Sequence, residues 1–298
     1  MNILVTGANG QLGRELRLVA PGGGNRFIFS DVTSLRGEET LYLDITNPDA
    51  VSLVFDSEKI DLVINCAAYT DVEKAETDQA MADLLNHVAP RILATECVKR
   101  RITLIHISTD YVFSGRLAMP AREDWPPEPL GAYGATKLLG EQAIRESGCE
   151  SIIIRTSWMF SPFGKNFVKT MAELTRGRQS LSVVSDQIGS PTYARDLARF
   201  ISDIIRHGEL DKVGTYHYTN EGVCSWYDFA CAIRDALGNT CDIRPCLSSE
   251  YPSKVTRPMS SVLDKSLVKS TFGVSIPHWH DALLDCINRK EWKLSGQK

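Results

Sequence analysis

Tyr133 and Lys137 are the residues whose types and spacing point most directly to proton transfer. They stand four positions apart at the start of a stretch with helical spacing, residues 132–146. Positions i and i+4 share one face of a helix, so the phenol and the ammonium project together. A nearby cation favours the phenolate and makes the phenol a better proton donor or acceptor near neutral pH. The alternative is an ordinary pair on a helix surface.

A glycine turn near the start of the sequence predicts a site for a dinucleotide. Gly7, Gly10 and Gly13 follow the apolar run 2–6 and open a helical stretch, with two residues between successive glycines. Such a turn lets the backbone approach a pyrophosphate, which then lies at the helix N-terminus. Asp31 ends the second apolar run, where a carboxylate accepts hydrogen bonds from an adenosine ribose and favours NAD. A turn aspartate is the alternative for Asp31.

Two further polar segments follow apolar runs. CAAYT (residues 66–70) contains small residues that would let the backbone approach a ligand, and Ser108, Thr109, Asp110 and Tyr111 come after the fifth run. The carboxyl ends of parallel strands meet at one crevice, so these groups are expected to face the same ligand. Helix–sheet packing explains the alanines equally well, and a local turn explains the hydroxyls.

The elements that would position these groups alternate regularly in the first half of the chain. Strands are predicted at 2–6, 26–30, 41–45, 61–66, 102–107 and 151–155, with helices between them, including 11–19 and 81–101. This alternation predicts an α/β fold with a parallel sheet covered by helices on both faces. After Trp158 the segments shorten, with helices predicted at 166–176, 193–207, 225–237 and 278–288 and a strand near 215–218. We expect a sheet domain over 1–157 and a smaller domain over 158–298, with some segments crossing back.

Composition excludes several classes of protein. The 298 residues carry 33 basic and 37 acidic side chains, a net charge of −4, without a lysine- or arginine-rich block. This balance argues against nucleic-acid and membrane-surface partners. No apolar stretch approaches the roughly 20 residues of a membrane span, and the N-terminus lacks the pattern of a signal peptide. The eight cysteines are scattered without a CxxC pair, which predicts a reducing, cytoplasmic location.

The motifs together resemble a known family. GANGQLG, CAAYTDVEKAE, HISTDYVFSG, YGATKLLGE, RTSWMF and DQIGSPT resemble the extended short-chain dehydrogenase/reductases and, more closely, the dTDP-4-dehydrorhamnose reductases, from residue 1 to about 288. The resemblance implies a Rossmann-type doubly wound sheet that binds NADPH or NADH and a mixed α/β C-terminal domain that holds a dTDP-sugar. The implied reaction is reduction of the C4 ketone of dTDP-4-dehydro-β-L-rhamnose to dTDP-L-rhamnose, the last step of dTDP-rhamnose biosynthesis.

The resemblance also assigns roles to single residues. The family's triad falls on Thr109, which would hydrogen-bond the ketone oxygen, Tyr133, which would donate the proton, and Lys137, which would hold the nicotinamide ribose. The implied cofactor contacts are Gly7, Gly10, Gln11, Leu12, Gly13, Asp31, Asp44, Ile45, Ala68, Tyr69, Thr70, Tyr133 and Lys137. The implied substrate contacts are Thr109, Asp110, Tyr111, Trp158, Asn166, Gln187 and Arg257. Arg257 is either a partner for the diphosphate or half of a structural ion pair.

The resemblance allows a magnesium ion, but this chain departs from the family's pattern at one position. Some family members form dimers bridged by magnesium through glutamates, and Glu15 matches one of these glutamates. Arg195 stands where those members carry another glutamate, which argues against the metal and that dimer and leaves monomer or homodimer open. His278 and His280 form a pair without a third ligand. Trp226 and Tyr227 are predicted to be core residues rather than thymine-stacking groups.

Two other functions remain open at this point. The chain could be a 4,6-dehydratase or 4-epimerase of nucleotide-sugars on the same scaffold. Dehydratases tend to carry Thr-Asp-Glu after the fifth strand, however, and the third position here is Tyr111. Epimerases hold NAD tightly. The chain also resembles the non-catalytic β subunit of methionine adenosyltransferase, although a regulatory chain has no evident reason to keep Thr109, Tyr133 and Lys137.

Overall fold

The computed structural model describes residues 1–20, 24–116, 119–251 and 255–295. The strands are β1 Asn2–Thr6, β2 Arg26–Asp31, β3 Leu41–Tyr42, β4 Leu62–Asn65, β5 Thr103–Thr109, β6 Ser151–Thr156, β7 Met159–Phe160, β8 Ser180–Val184, β9 Ile188–Gly189, β10 Thr192–Tyr193, β11 Gly214–His217, β12 Cys224–Ser225, β13 Asp242–Cys246 and β14 Ser260–Ser261. No helix among the described residues combines the length and the apolar character needed to span a membrane.

The helices lie mostly between these strands. They are α1 Gln11–Val19, α2 Pro48–Ser57, α3 Val72–Ala75, α4 Gln79–Asp83, α5 Ala89–Arg100, α6 Ala132–Glu146, α7 Phe167–Gly177, α8 Ala194–His207, α9 Trp226–Ala236, α10 Ser266–Phe272, α11 Trp279–Asn288 and α12 Lys290–Ser295. A π-helical turn, Leu84–Val88, joins α4 to α5, and short 3₁₀ turns cover Asp110–Val112 and Ser248–Glu250.

The fold is α/β with a parallel sheet, as the alternation of elements predicted, and it is the Rossmann-type doubly wound fold that the family resemblance implied. One sheet has seven strands in the order β11-β6-β5-β4-β1-β2-β3, and every neighbouring pair is parallel. The order reverses beside β1, and a crevice for ligands forms at such a reversal, outside the carboxyl ends of the strands. Strand β11 comes from the second half of the chain and completes one edge of the sheet.

Helices cover both faces of this sheet. On one face, Leu12 and Leu16 of α1 pack with Leu197 and Ile201 of α8 against the β-strands. On the other face, α2, α5 and α6 supply the buried side chains. Strand β4 is buried at all four positions, as expected for a strand with helices on both sides.

The remainder of the second half forms a smaller mixed α/β unit. Strands β8 and β13 pair in parallel, β7 pairs with β10, and β12, β9 and β14 form a small mixed sheet. Helices α7, α9 and α11 enclose a core that contains Phe160, Tyr193, Phe229 and Trp279. This unit adjoins the carboxyl end of β6, because β7 follows β6 directly and pairs with β10, which directly precedes α8.

Two local predictions differ from the structure. The predicted strand 41–45 ends at Tyr42, because Asp44 turns the chain by accepting hydrogen bonds from the Thr46 backbone N–H and hydroxyl. The predicted helix 81–101 begins at Gln79 and is interrupted by the π-helical turn. Apolar spacing does not distinguish a π turn from an α turn, since both bury one face of the segment.

Candidate active site

A cavity of about 670 Å³ opens at the carboxyl ends of the central strands. Most of the residues predicted from the sequence line it: Gly7, Gly10, Gln11, Leu12, Asp31, Asp44, Ile45, Ala68, Thr70, Thr109, Asp110, Tyr111, Tyr133, Lys137, Trp158 and Arg257. They come from the ends of β2 and β5, from α1 and α6, from the segments after β1, β3, β4, β5 and β6, and from the segment before β14. The topology of a parallel sheet therefore gathers groups that are far apart in the sequence.

The glycine turn has the geometry that a close approach of two backbones requires. Gly7 has φ +62°, and a Cβ on it would lie 2.6 Å from the Ala67 backbone nitrogen. Helix α1 begins just after Gly10, which has no side chain to cap the helix, so the first backbone N–H groups of α1 are available to an anion. Gly13 does not line the cavity. A Cβ there would lie 2.5 Å from Ala8 Cα, so this glycine lets α1 pack against the turn.

Asp31 lies at the far end of the cavity from Tyr133. One carboxylate oxygen accepts the Asn9 backbone N–H over 3.1 Å, and the other accepts the Thr33 backbone N–H over 3.0 Å. These bonds fix the side chain at the end of β2 while leaving it on the cavity wall. A fixed carboxylate there is placed to accept hydrogen bonds from ribose hydroxyls.

The loop after β4 is held from behind by Asn86. The Asn86 amide accepts the Tyr69 backbone N–H over 2.9 Å and donates to the Tyr69 carbonyl over 3.1 Å. Ala68 and Thr70 consequently face the cavity, whereas Tyr69 points away and donates its hydroxyl to Asp78 over 3.2 Å. Asn86 lies within an apolar helical stretch, so its local sequence gives no sign of this contact.

Thr109 and Tyr133 form the polar centre of the cavity. Thr109 Oγ1 donates to Asp110 Oδ1 over 3.0 Å and accepts the Tyr111 backbone N–H over 3.2 Å. Burial raises the pKa of the Tyr133 phenol well above its usual value, although the neighbouring Thr109 hydroxyl opposes the shift. The Tyr133 ring also meets the Tyr111 ring edge-to-face, with centroids 5.5 Å apart. Tyr133 thus keeps its proton at neutral pH, as a proton donor must.

Lys137 reaches the same cavity from the next turn of α6. Its Nζ donates to the Ile107 carbonyl over 2.7 Å, and the side chain is 2% exposed. Burial lowers the pKa of Lys137 to about 8, against the opposing charge of Glu141. The lysine is therefore held at a fixed point on the cavity wall and titrates near physiological pH.

A buried ion pair supports α6 behind these residues. Glu141, one turn beyond Lys137, accepts from Arg155 of β6 over 2.9 and 2.7 Å and from the Ser108 hydroxyl. Burial alone would raise the pKa of Glu141, but the Arg155 and Ser108 bonds hold it below its usual value. This bidentate pair fixes the helix that carries the phenol and the amine relative to β5 and β6.

The second half of the chain closes the cavity with aromatic and basic groups. Trp158 has φ +46° and stacks on Trp226 with ring centroids 3.5 Å apart. Both indoles line the cavity, so Trp226, predicted to be a core residue, is also part of its wall. Arg257 lines the cavity while donating to Glu73 of α3 over 3.1 Å. It thus makes a structural ion pair at a position where a substrate anion can also reach it.

Two predicted substrate contacts lie away from the cavity wall. Asn166 caps α7 by accepting the Lys169 N–H, and its amide donates to Gln11 Oε1 over 3.0 Å. Gln187 donates to the Ser248 hydroxyl over 2.9 Å. Their contact with substrate stays a prediction. Thr156 and Ser157 also line the cavity, and their position at the carboxyl end of β6 could have identified them from the sequence. Gly164 and Lys165 line it too, but they do not lie at the end of a strand.

Glu15 does not fit a magnesium site. The carboxylate is fully buried, and its two oxygens lie 3.2 and 3.0 Å from Arg289 Nη1. Arg195 Nη1 lies 3.7 Å from the same group. Two guanidinium groups already balance this charge and would repel a divalent cation. Nowhere in the described ranges do three or more His, Cys, Asp or Glu side chains converge as metal ligands.

Comparison with known proteins identifies close relatives along the whole chain. The family described as "RmlD substrate binding domain" matches residues 1–291. The chain is 39% identical to the dTDP-4-dehydrorhamnose reductase of Aggregatibacter actinomycetemcomitans, covering 94% of this chain and 96% of that protein.

Solved structures agree with these sequence relatives. A dTDP-4-dehydrorhamnose reductase from Clostridium acetobutylicum superimposes with a TM-score of 0.90 at 39% identity, covering 97% of this chain and 99% of its own. The Bacillus anthracis dTDP-4-dehydrorhamnose reductase, solved in complex with NADP, superimposes with a TM-score of 0.87 at 34% identity, covering 96% and 98%.

Proposed function

The chain belongs to the RmlD substrate binding domain family, and from this membership we propose that it is an NAD(P)H-dependent oxidoreductase that reduces a nucleotide-sugar ketone. The substrate is dTDP-4-dehydro-β-L-rhamnose, and reduction at C4 gives dTDP-L-rhamnose. One observation carries the proposal: a single cavity joins the glycine turn at the start of α1 to Thr109, Tyr133 and Lys137. A dinucleotide site and a proton donor are the two parts that such a reduction needs.

The residues of the cavity divide the chemical work. A bound reduced nicotinamide supplies the hydride for the sugar ketone. Thr109, beside Tyr133, hydrogen-bonds the ketone oxygen and polarises it. Tyr133 donates its proton to that oxygen as negative charge develops, since burial keeps the phenol protonated. Lys137 holds the nicotinamide ribose from the wall below.

The two halves of the chain hold different parts of the ligands. We assign the cofactor and the triad to residues 1–157, and most of the sugar nucleotide to residues 158–298. Trp158, Trp226 and Arg257 support this division, because they belong to the second half of the chain and line the same cavity as the triad. We assign Asp110 and Tyr111, which also line this cavity, to the sugar. The proposed pathway step implies a cytoplasmic enzyme, acting as a monomer or homodimer.

The experiment is NADPH or NADH oxidation with dTDP-4-dehydro-L-rhamnose, comparing wild type with Tyr133→Phe. We expect the variant to bind the cofactor normally and to lose kcat by a factor of about 10² or more, since general acid catalysis contributes about 10²–10⁴-fold. Tyr42→Phe is the matched control, because this tyrosine is 71% exposed. Equal turnover of wild type and Tyr133→Phe would refute the assignment of the proton donor.

Other results would indicate the alternatives. A chain that purifies with tightly bound NAD and oxidises no added NADPH or NADH would be an epimerase or dehydratase. A chain without turnover that binds another enzyme tightly would have the regulatory function of the methionine adenosyltransferase β subunit. Tyr111 argues against the dehydratase, because it occupies the position of the acidic residue that elimination needs.

A further inference from the structure

A chain of buried polar side chains runs behind the cavity from β1 to Lys137. Thr6 Oγ1 donates to Asn65 Oδ1 over 2.7 Å, and Asn65 Nδ2 lies 3.0 Å from His106 Nδ1. The other ring nitrogen, His106 Nε2, lies 3.3 Å from Lys137 Nζ. All four side chains are at most 2% exposed. Their hydrogen bonds to one another therefore set their protonation, without competition from bulk water.

The Asn65 amide can adopt only one orientation. Its Oδ1 accepts the backbone N–H of Ala67 over 3.2 Å, and a backbone N–H can only donate. Rotating the amide would place its NH₂ against that donor, so Nδ2 must face His106 and donate to Nδ1. Burial, followed by the charge of Lys137, lowers the pKa of His106 well below its usual value. The ring is therefore neutral and carries its one proton on Nε2.

The proton on Nε2 points at Lys137. An ammonium group at Nζ would place N–H against N–H across 3.3 Å, whereas an amine accepts the bond through its lone pair. Lys137 Nζ also donates to the Ile107 carbonyl over 2.7 Å. An amine held by these two bonds has one N–H left. This remaining N–H points away from His106 and Ile107, toward the cavity that Lys137 lines.

The other groups that face Lys137 do not reverse this preference. Glu141, on the same helix, opposes the fall in the pKa of Lys137, but Arg155 and Arg145 already pair with its carboxylate. Cys66, from the end of β4, is neutral at pH 7 because burial raises the pKa of its thiol to about 12. Since burial brings the pKa of Lys137 to about 8, both the amine and the ammonium are accessible near neutral pH.

We propose that His106 is a positioning residue for Lys137. Asn65 holds the ring in its Nε2–H tautomer, and this N–H donates to the lysine nitrogen, stabilises the amine and directs its remaining N–H into the cavity. The inference rests on the proposed function, in which Lys137 holds the cofactor ribose. It adds a residue outside the cavity wall whose tautomer is set on a neighbouring strand.

The tautomer can be measured directly in the wild-type protein. We expect ¹⁵N-histidine NMR to show the His106 ring with a protonated Nε2 and an unprotonated Nδ1 between pH 6 and 9. His106→Phe identifies the resonance among the six histidines. A ring protonated on Nδ1 would overturn the proposal. This measurement needs neither substrate nor turnover, so it stands even if the proposed reaction is wrong.

Asn65→Asp tests the consequence for Lys137 with a side chain of the same shape. The new carboxylate keeps the bonds to Thr6 and Ala67, but it can only accept from His106 and must move the ring proton to Nδ1. Nε2 then accepts from the lysine ammonium. The Kd for NADH, measured against pH, should show an inflection near 8 in wild type that is lost in Lys137→Met. In Asn65→Asp we expect that inflection to move up by about one pH unit or more.

The double variant Asn65→Asp/His106→Phe separates the ring from a direct effect of the new charge. We expect its inflection to match that of His106→Phe alone, because the ring transmits the change. An equal upward shift in the double variant would overturn the proposal, as would an inverted tautomer in Asn65→Asp without any shift. If wild type binds NADH normally but reduces no dTDP-4-dehydro-L-rhamnose, the proposed substrate fails and these results still decide the role of His106.

Discussion

Asp110 is a buried residue of the cavity wall whose carboxylate is only partly hydrogen-bonded. The side chain is 4% exposed, and only one of its carboxylate oxygens accepts from Thr109. The other oxygen, Oδ2, has no hydrogen-bond partner in the described part of the chain. Burial raises the pKa of Asp110 to about 6, although the nearby hydroxyls of Ser261 and Thr109 oppose the shift. A buried oxygen without a partner destabilises the free protein and can accept a sugar hydroxyl in the complex.

Asp110→Asn should therefore raise stability in a pH-dependent way. The folded-state pKa, about 6, lies above the ordinary value of 3.8, so the folded state binds the proton more tightly. The contribution of Asp110 to the free energy of unfolding falls by roughly 3 kcal/mol as pH rises from about 4 to 6. It stays low above pH 6. We expect Asp110→Asn to raise Tm at pH 7.5 but hardly at pH 4.5, and to lower kcat/KM for the nucleotide-sugar.

Thermal unfolding between pH 4.5 and 8 measures this difference. Asp124→Asn is the matched control, since the Asp124 side chain is 69% exposed and pairs with the exposed Arg122. The control should change Tm little at any pH. A lower Tm for Asp110→Asn at pH 7.5 would show that the carboxylate is better satisfied in the folded state than its burial indicates.

Asp31 makes a second prediction at the same scale, about the choice of cofactor. Its carboxylate is fixed at the cavity wall by the backbones of Asn9 and Thr33, and a 2′-phosphate on the adenosine ribose would meet this negative charge. We expect a higher kcat/KM with NADH than with NADPH. Asp31→Ser should change the ratio of the two by about tenfold toward NADPH, about 1.4 kcal/mol. Steady-state kinetics with both cofactors measure the ratio, and an unchanged ratio would place the ribose away from Asp31.

Among the secondary-structure elements, the π-helical turn Leu84–Val88 connects the loop after β4 to helix α6, which carries Tyr133 and Lys137. The extra residue in the turn aims Asn86 inward, where its amide binds both backbone groups of Tyr69 and donates to Thr136 of α6 over 3.2 Å. Gly140 makes room for this contact, because a Cβ there would lie 2.1 Å from the Asn86 carbonyl oxygen. One side chain thus ties the loop after β4 to the helix that carries Tyr133.

Asn86→Ala should loosen the loop more than the triad. It leaves the part-buried backbone groups of Tyr69 without the Asn86 amide, so we expect a loss of about 1–3 kcal/mol in the free energy of unfolding. The KM for NADH should rise several-fold while kcat changes less, because Ala68 and Thr70 face the cofactor side of the cavity. Asn239→Ala is the matched control, since Asn239 donates to Thr175 far from the cavity. An unchanged KM in Asn86→Ala would separate the π turn from cofactor binding.

Local sequence patterns predict the buried strands and the glycine turn. Strand β4 is apolar throughout because both of its faces are covered, and the glycine turn is visible because close backbone approach excludes side chains. The π turn leaves no such pattern, and its apolar spacing also fits an α-helix. The sequence predicts a core position for Trp226, because an aromatic residue at a helix start usually packs inward. Its partner Trp158 lies on another segment, and only the fold brings the two indoles together.

At the scale of the whole molecule, one buried cluster ties the C-terminal end of the chain to the large sheet. Arg289 follows α11 and reaches Glu15 on α1, and the same Nη1 also lies 3.1 Å from the Tyr193 hydroxyl. Arg195 of α8 approaches the same carboxylate. Helix α1, helix α8 and the residue after α11 thus meet at the Glu15 carboxylate. The smaller unit is thereby joined to the large sheet by buried ion pairs.

Removing the Arg289 guanidinium should destabilise the protein, whereas removing metal ions should not. Arg289→Met leaves a buried carboxylate with only the more distant Arg195, so we expect a loss of about 3–5 kcal/mol in the free energy of unfolding. Glu15→Gln/Arg289→Met should recover part of that loss, since no unpaired charge remains. EDTA or added Mg²⁺ should leave Tm and the sedimentation coefficient of the wild type unchanged. Urea unfolding measures the free energy of unfolding, thermal unfolding measures Tm, and analytical ultracentrifugation measures the sedimentation coefficient. A drop in Tm with EDTA would mean that a cation, rather than Arg289, balances Glu15.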